Sequence, residues 1–304
     1  MTAELKELVH ALGDPPSPTT VWQSQFDGED AALKRLAYAR PGEPVRIQDL
    51  LSYCDDLRYV EELQEGLLLR VLPHALHAWR GLLLKGGSRG FSEALCAALA
   101  KRREFISKVL GPDGTRGAAR FMAATVLELM AKEESLHHKG RGASPYRWSR
   151  EFVSFGCAWD EVDLILAPWR AMDRPGLAFS TVQYLASLVF TGAENPVFGT
   201  WTRDEGGGPI VPWENASVGF EESWSPAAVE RLRVLLAGNA AVDWLDDAAD
   251  RLKDHPDRAV AVKTAAAAAA RGPRLASRTA DLCRHLSTPT DPALRDWSAE
   301  NALP

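Results

Sequence analysis

Apolar residues recur at three- and four-residue steps along most of this chain, and that period restricts the backbone to helices. The clearest stretch is 115–136, where Ala118, Phe121, Met122, Thr125, Val126, Leu129 and Met130 fall on one side of a 3.6-residue repeat. Phe91, Leu95, Leu99, Ile106 and Val109 keep the same rhythm over 90–110, and the GPDG at 111–114 supplies a turn. A helical hairpin is expected there. Further helices are expected over about 2–12, 28–39, 46–54, 58–85, 144–156, 159–172, 177–190, 225–237, 240–254, 257–271, 273–287 and 291–300. Pro73 should kink or divide the fourth of these, because proline lacks an amide proton and clashes with the preceding turn. Ser225 and Pro226 suit the cap and first position of a helix whose buried stripe is Val229, Leu232, Leu235 and Leu236. The alanine run 265–270, between Val262 and Gly272-Pro273, reads as a helix with a small-residue face.

Period-2 alternation is scarce. The stretch PIVPW at 209–213 is short and proline-broken, suited at most to an edge strand or a short hairpin. The expected fold is all-α, an irregular multi-helix bundle or stacked helical hairpins with one long Gly/Trp-containing loop. No repeat of fixed period marks a solenoid. The 304 residues fit one domain, or a subdivision into 1–190 and 225–304 joined by the loop 191–224.

An apolar fraction of 46% with 25% charged residues describes a folded globular chain. The N-terminal residues lack the basic and then apolar pattern of a secretory signal, and no run approaches the roughly 18 apolar residues of a spanning helix, so a cytoplasmic protein is expected. Cysteines 54, 96, 157 and 283 form no CxxC pair and read as buried thiols rather than a zinc site or disulfide framework.

The catalytic patterns lack their contexts. Gly86-Gly87-Ser88-Arg89-Gly90 matches the G-x-S-x-G of a nucleophile elbow, but a helix-like segment precedes it where a strand is required, so a hydrolase built on Ser88 is the least favoured alternative. His74 and His77, and the group Glu133, Glu134, His137 and His138, offer helical ligand spacings without HExxH or paired Glu-x-x-His motifs; no metal or cofactor is expected. Cys157 has no base nearby in sequence. Gly206, Gly207 and Gly208 follow Asp204 and Glu205 and precede Pro209 instead of a Lys-Ser/Thr pair, which excludes a phosphate cradle.

Surfaces therefore carry the functional expectation. The net charge of −6 conceals a segregation: residues 80–150 hold 14 Lys/Arg against 6 Asp/Glu, and the remainder 21 against 35. On the helix 240–254, Asp243, Asp246, Asp247, Asp250 and Asp254 share one face while Val242, Leu245, Ala249 and Leu252 share the other. Asp55, Asp56, Glu61, Glu62 and Glu65 extend the acidic surface if the fold brings them together. The segment 191–224 contains Phe198, Trp201, Trp213, Phe220 and Trp224, and a connector of that length is often functional. Inward packing of these rings is favoured over exposure, but Trp201 and Trp213 remain candidate anchors. The expectation is a protein-interaction module using the acidic face and the aromatic loop, with a toxin-neutralising immunity protein as its concrete form. The alternative is a nucleic-acid-binding helical protein using Lys101, Arg102, Arg103 and Lys108 within the basic segment.

Overall fold

A computed structural model of the chain describes residues 2–13, 15, 30–39, 43–61, 63–86, 89–136, 144–190, 194–197 and 222–288. The described residues contain thirteen helices and no strand: α1 (Ala3–Leu12), α2 (Asp30–Tyr38), α3 (Ile47–Tyr59), α4 (Glu65–Lys85), α5 (Arg89–Lys101), α6 (Arg103–Met130), α7 (Ser144–Ala158), α8 (Asp163–Ala171), α9 (Pro175–Val189), α10 (Pro226–Leu235), α11 (Asn239–Arg251), α12 (Arg258–Ala270) and α13 (Gly272–Ser287). The fold is all-α, as the periodicity requires. The stretch 209–213, suited at most to an edge strand or short hairpin, and the helix expected at 291–300 lie outside the described residues.

The helices divide into two compact units, Met1–Thr125 and Val126–Pro304, and the division falls inside α6. The sequence admits one domain or a subdivision at 191–224. That segment joins elements of one unit, because α9 before it packs on α11, α12 and α13 after it.

Helix starts follow the local chemistry. Thr2 Oγ1 accepts from the Leu5 amide at 3.3 Å, and Ser225 Oγ accepts from the Ala228 amide at 3.3 Å with Pro226 in the first position. Each cap satisfies an amide that has no partner inside the helix and contributes about 1 kcal/mol. Two expectations need correction. The helix placed at 58–85 is the end of α3 and the whole of α4, separated at 60–64, and α4 runs through Pro73 as one element. Burial of Leu67, Leu68, Val71, Leu72, Leu76 and Trp79 on both sides of the proline outweighs the ~3 kcal/mol that an interior proline costs. The first helix of the hairpin, expected unbroken over 90–110, is interrupted at Arg102, while the turn expected at 111–114 stands as a kink at Gly111, whose φ of 66° only glycine adopts readily. α5 packs on α3 and α4, while the later part of α6 meets α1, where a Cβ on Gly117 would lie 3.4 Å from Leu8.

In the Met1–Thr125 unit, charged groups tie helices together. Asp49 on α3 accepts from Arg35 of α2 at 2.8 and 2.8 Å and from Arg46 at 3.2 and 2.7 Å. The Arg35 hydrogen bonds, opposed by desolvation and reinforced by Arg46, hold the Asp49 carboxyl well below the usual carboxylate range. Arg102, in the break between α5 and α6, donates to the carbonyls of Leu57 at 2.9 Å and Val60 at 2.7 Å, closing the C-terminus of α3. His74 is buried, which lowers its pKa against an opposing backbone hydrogen bond with Glu43.

In the Val126–Pro304 unit, α9 is the hub. Every residue from Gly176 to Val189 is buried, and the helix packs on α7, α11, α12 and α13. Its hydroxyls survive burial by turning back on their own helix: Ser180 and Thr181 donate to the Leu177 carbonyl, and Ser187 to that of Tyr184. Around it stands an aromatic core. Trp169 of α8 meets Trp148 and Phe152 of α7, Tyr184 of α9 and Trp244 of α11 edge to face, with ring centres 5.0–5.6 Å apart. Trp224 joins this core against Phe152 at 5.2 Å and lies so close over Gly156 of α7 that any Cβ there would overlap its ring. Its indole donates to the Val153 carbonyl at 2.9 Å. The Trp148, Trp169 and Trp244 indole nitrogens and the Tyr184 hydroxyl have no hydrogen-bond partner among the described residues. A buried polar group left unsatisfied costs about 1–3 kcal/mol.

Candidate interaction surface

α11 is amphipathic in the sense the sequence predicts, with one large residue added. Ala241, Trp244, Leu245, Ala248 and Ala249 are buried, followed by Leu252, and the helix packs on α9 and α12. The stripe read from sequence omits Trp244, although the 241, 244/245, 248/249, 252 spacing carries it. Val242, assigned to the buried side, is only half-buried.

Asp243, Asp246, Asp247, Asp250 and Asp254 are all exposed. Asp247 accepts a hydrogen bond from Arg170 of α8 at 2.5 Å, and Arg251 reaches the Ala171 carbonyl at 3.5 Å, so α8 neutralises one member of the row. The other four carboxylates make no hydrogen bond or ion pair among the described residues. Asp243, Asp246 and Asp250 follow one another at steps of three and four residues and span roughly 10 Å of helix at 1.5 Å per residue, whereas Asp254, which the sequence places on the same helix, lies beyond its end at Arg251. Like charges at these spacings repel by a few tenths of a kcal/mol per pair. The buried face of Trp244 and Leu245 offsets that repulsion without relieving it.

The proposed extension of this row loses a member. Asp56 is buried in α3, Asp55, Glu61 and Glu65 are exposed in the Met1–Thr125 unit, and Glu62 lies outside the described residues.

The basic candidates behave unequally. Lys101 and Lys108 are exposed and Arg103 is half-buried, but the guanidinium of Arg102 is committed to the end of α3. Arg116 and Arg120 are exposed on the later part of α6, with the exposed acids Glu104 and Asp113 interspersed along the same helix. A basic run in sequence thus becomes a mixed surface.

The remaining chemical candidates resolve from their surroundings. Ser88 lies outside the described residues, but α4 stands before it where an elbow requires a strand. His74 is buried while His77 is exposed, and Glu133 is buried while Glu134 is exposed, so neither pair shares one face in the way a metal site needs. His137 and His138 lie outside the described residues, among which no group of three or more ligating side chains can hold a metal ion. The Cys157 thiol donates to the Glu222 carbonyl at 3.3 Å, and burial pushes the Cys54 and Cys283 thiols upward. Trp201 and Trp213, with Phe198 and Phe220, also lie outside the described residues; of the five aromatics in 191–224, Trp224 is the one described, and it points inward. Its position before Ser225 and five residues before the buried Val229 is the hydrophobic-staple spacing, a signal readable in the sequence.

A polar tie without any local sequence signal joins the segment after α6, residues 133–136, to the start of α12. Buried Asp257 accepts from Ser135 Oγ at 2.9 Å and from the Leu136 amide at 2.6 Å, while Gln183 donates to Glu133 at 2.9 Å and to the Ser135 carbonyl at 3.2 Å. Asp257 stands 122 and 121 residues from its partners and Gln183 stands 50 and 48 from its own, and the tie fixes backbone rather than presenting groups to solvent.

Among the described residues no helix is long and apolar enough to cross a membrane. No protein-family profile, curated protein or solved structure matches the chain.

Proposed function

We propose that this chain is a protein-interaction module that receives a basic partner protein on the exposed face of α11. The observation that supports the reading is the row Asp243, Asp246 and Asp250, exposed, unpaired among the described residues and mounted on a helix whose other face is buried, with exposed Asp254 just beyond the helix end. Such a row attracts cationic side chains at a distance and fixes their register on contact. A rigid mount reduces the ordering that binding requires. Trp201 and Trp213 are the apolar anchors proposed to accompany it. A toxin-neutralising immunity protein, shielding a basic toxin surface with this row, is the specific form of the reading. Nucleic-acid binding is the weaker alternative, because Arg102 is already committed within the fold.

The test is capture from the source cell by the wild-type chain and by a triple variant, Asp243→Lys, Asp246→Lys and Asp250→Lys, with circular dichroism confirming retained helicity. A basic protein bound by the wild type should associate at least about tenfold more slowly with the variant, and the wild-type rate should fall with salt. Equal association rates would sink the proposal.

A further inference from the structure

Asp257 stands where α12 begins, the position from which an aspartate ordinarily accepts from the first amides of its own helix, yet its side chain makes no such cap. Its Oδ2 is turned to the segment after α6 instead, accepting from Ser135 Oγ at 2.9 Å and from the Leu136 amide at 2.6 Å. His255 lies two residues earlier, and its Nδ1 accepts from the Asp257 amide at 3.2 Å while standing 3.7 Å from the same Oδ2. Phe179 of α9 packs against the imidazole at 78°, with ring centres 4.8 Å apart. One ring nitrogen thus lies within reach of a donor and an acceptor of the same residue, and the proton on it decides which it serves.

We propose that His255 is a pH-sensitive switch on this tie: protonated at Nδ1, it gives up the Asp257 amide, donates to the Asp257 carboxylate and displaces Ser135 Oγ from it. A nitrogen that carries a proton cannot accept one, so the bond from the Asp257 amide is incompatible with the charged ring. The charge then favours the carboxylate, by direct attraction and because the dipole of α12 opposes a cation at the helix N-terminus. Oδ2 already serves two donors, about the number a carboxylate oxygen accepts, so a third takes the place of one. Ser135 Oγ yields because a hydroxyl rotates to another partner, whereas the Leu136 amide is fixed in the backbone. The ionisable groups around the ring are these. α9 carries none except buried Tyr184, and the segment after α6 brings exposed Lys132 and Glu134 and buried Glu133, which accepts from Gln183. The end of α11 and the chain around the ring bring exposed Asp250, Arg251, Lys253, Asp254 and Arg258. Among the described residues, Asp257 is the one within ion-pair distance of His255. The exchange is confined to the margin of the Val126–Pro304 unit and is independent of the acidic row on α11.

The experiment is a titration of the full chain, labelled with ¹³C and ¹⁵N, from about pH 8 to about pH 5, the span over which histidine ordinarily changes charge. At the upper end a through-bond nitrogen–nitrogen coupling joins the Asp257 amide to His255 Nδ1. On acidification the coupling is lost, and the Ser135 and Asp257 resonances move with the midpoint of the His255 ring carbons. In His255→Gln, which cannot take up the proton, that shared midpoint disappears from Ser135 and Asp257. Ser135→Ala removes the group to be displaced, so the His255 midpoint moves to higher pH, because protonation no longer breaks that bond. Any of four results overturns the proposal: no coupling at the upper pH, Ser135 resonances unmoved while the ring titrates, a His255 midpoint unchanged in Ser135→Ala, or a Ser135 midpoint that survives His255→Gln. The last would assign the change to a carboxylate of the tie.

Discussion

The two units solve the same problem, joining amphipathic helices, with different interactions. In Met1–Thr125 the ties between helices include Asp49 with Arg35 and Arg46, the Arg102 closure of α3, and buried His74. In Val126–Pro304 the centre is a set of aromatic edges and faces gathered around α9, with Trp169 in the middle. Charged ties are directional and depend on protonation. Aromatic packing depends on volume and shape and is indifferent to pH. One sequence rhythm therefore yields two units with different vulnerabilities.

The largest effect is expected at Trp169. Trp169→Ala should cost about 3–5 kcal/mol, the range for truncating a buried aromatic, read from the shift of the urea midpoint. Hydrogen exchange should show α7, α8, α9 and α11 losing protection while α2 to α5 retain theirs. Equal loss in both sets would show one cooperative structure and abolish the distinction. A smaller effect is expected from Gly156→Ala, about 2–3 kcal/mol, because the added methyl forces Trp224 out of its slot on α7. Tryptophan fluorescence moving toward the solvent-exposed wavelength reports that displacement.

The smallest expected effect falls in the Met1–Thr125 unit. The folded pKa of Asp49 is depressed, so its contribution is fully present above the ordinary aspartate value of about 4 and is lost as pH falls toward the folded value. The lowered His74 pKa acts in the same direction, favouring the fold at neutral pH and weakening it once acid protonates the buried ring. Acid should therefore release protection in α2 to α4 before α9. Asp49→Asn should cost about 1.5 kcal/mol at pH 7 and remove the Asp49 share of that pH dependence, as measured by urea midpoints at pH 7 and pH 3. A midpoint difference between the two pH values that survives the substitution unchanged would exclude Asp49 as its source.

Much of this architecture was legible before any coordinates. The three-to-four-residue period announced nearly all of the described helices, and Thr2 and Ser225-Pro226 marked two of the starts, because caps and amphipathic stripes are written in adjacent residues. The acidic face of α11 was legible for the same reason, since spacing alone puts its four aspartates on one side. Pro73 misled because local propensity counts only the lost hydrogen bond, whereas the residues packed around α4 decide the outcome. Arg102 misled because a cation in a basic run looks the same in sequence whether it faces solvent or closes a helix.

What the sequence determined by itself is the set of helices, the inward stripes of α5, α6, α10 and α11, and the acidic row that α11 offers. Tertiary structure alone decided that Asp247 is drawn to Arg170, that Trp224 is seated over Gly156, that Asp257 holds the segment after α6, and that four aromatic rings share one interior. The reason is range: helical faces arise from neighbours three and four positions apart, while these pairings join residues from tens to more than a hundred positions apart, and only packing brings them within reach.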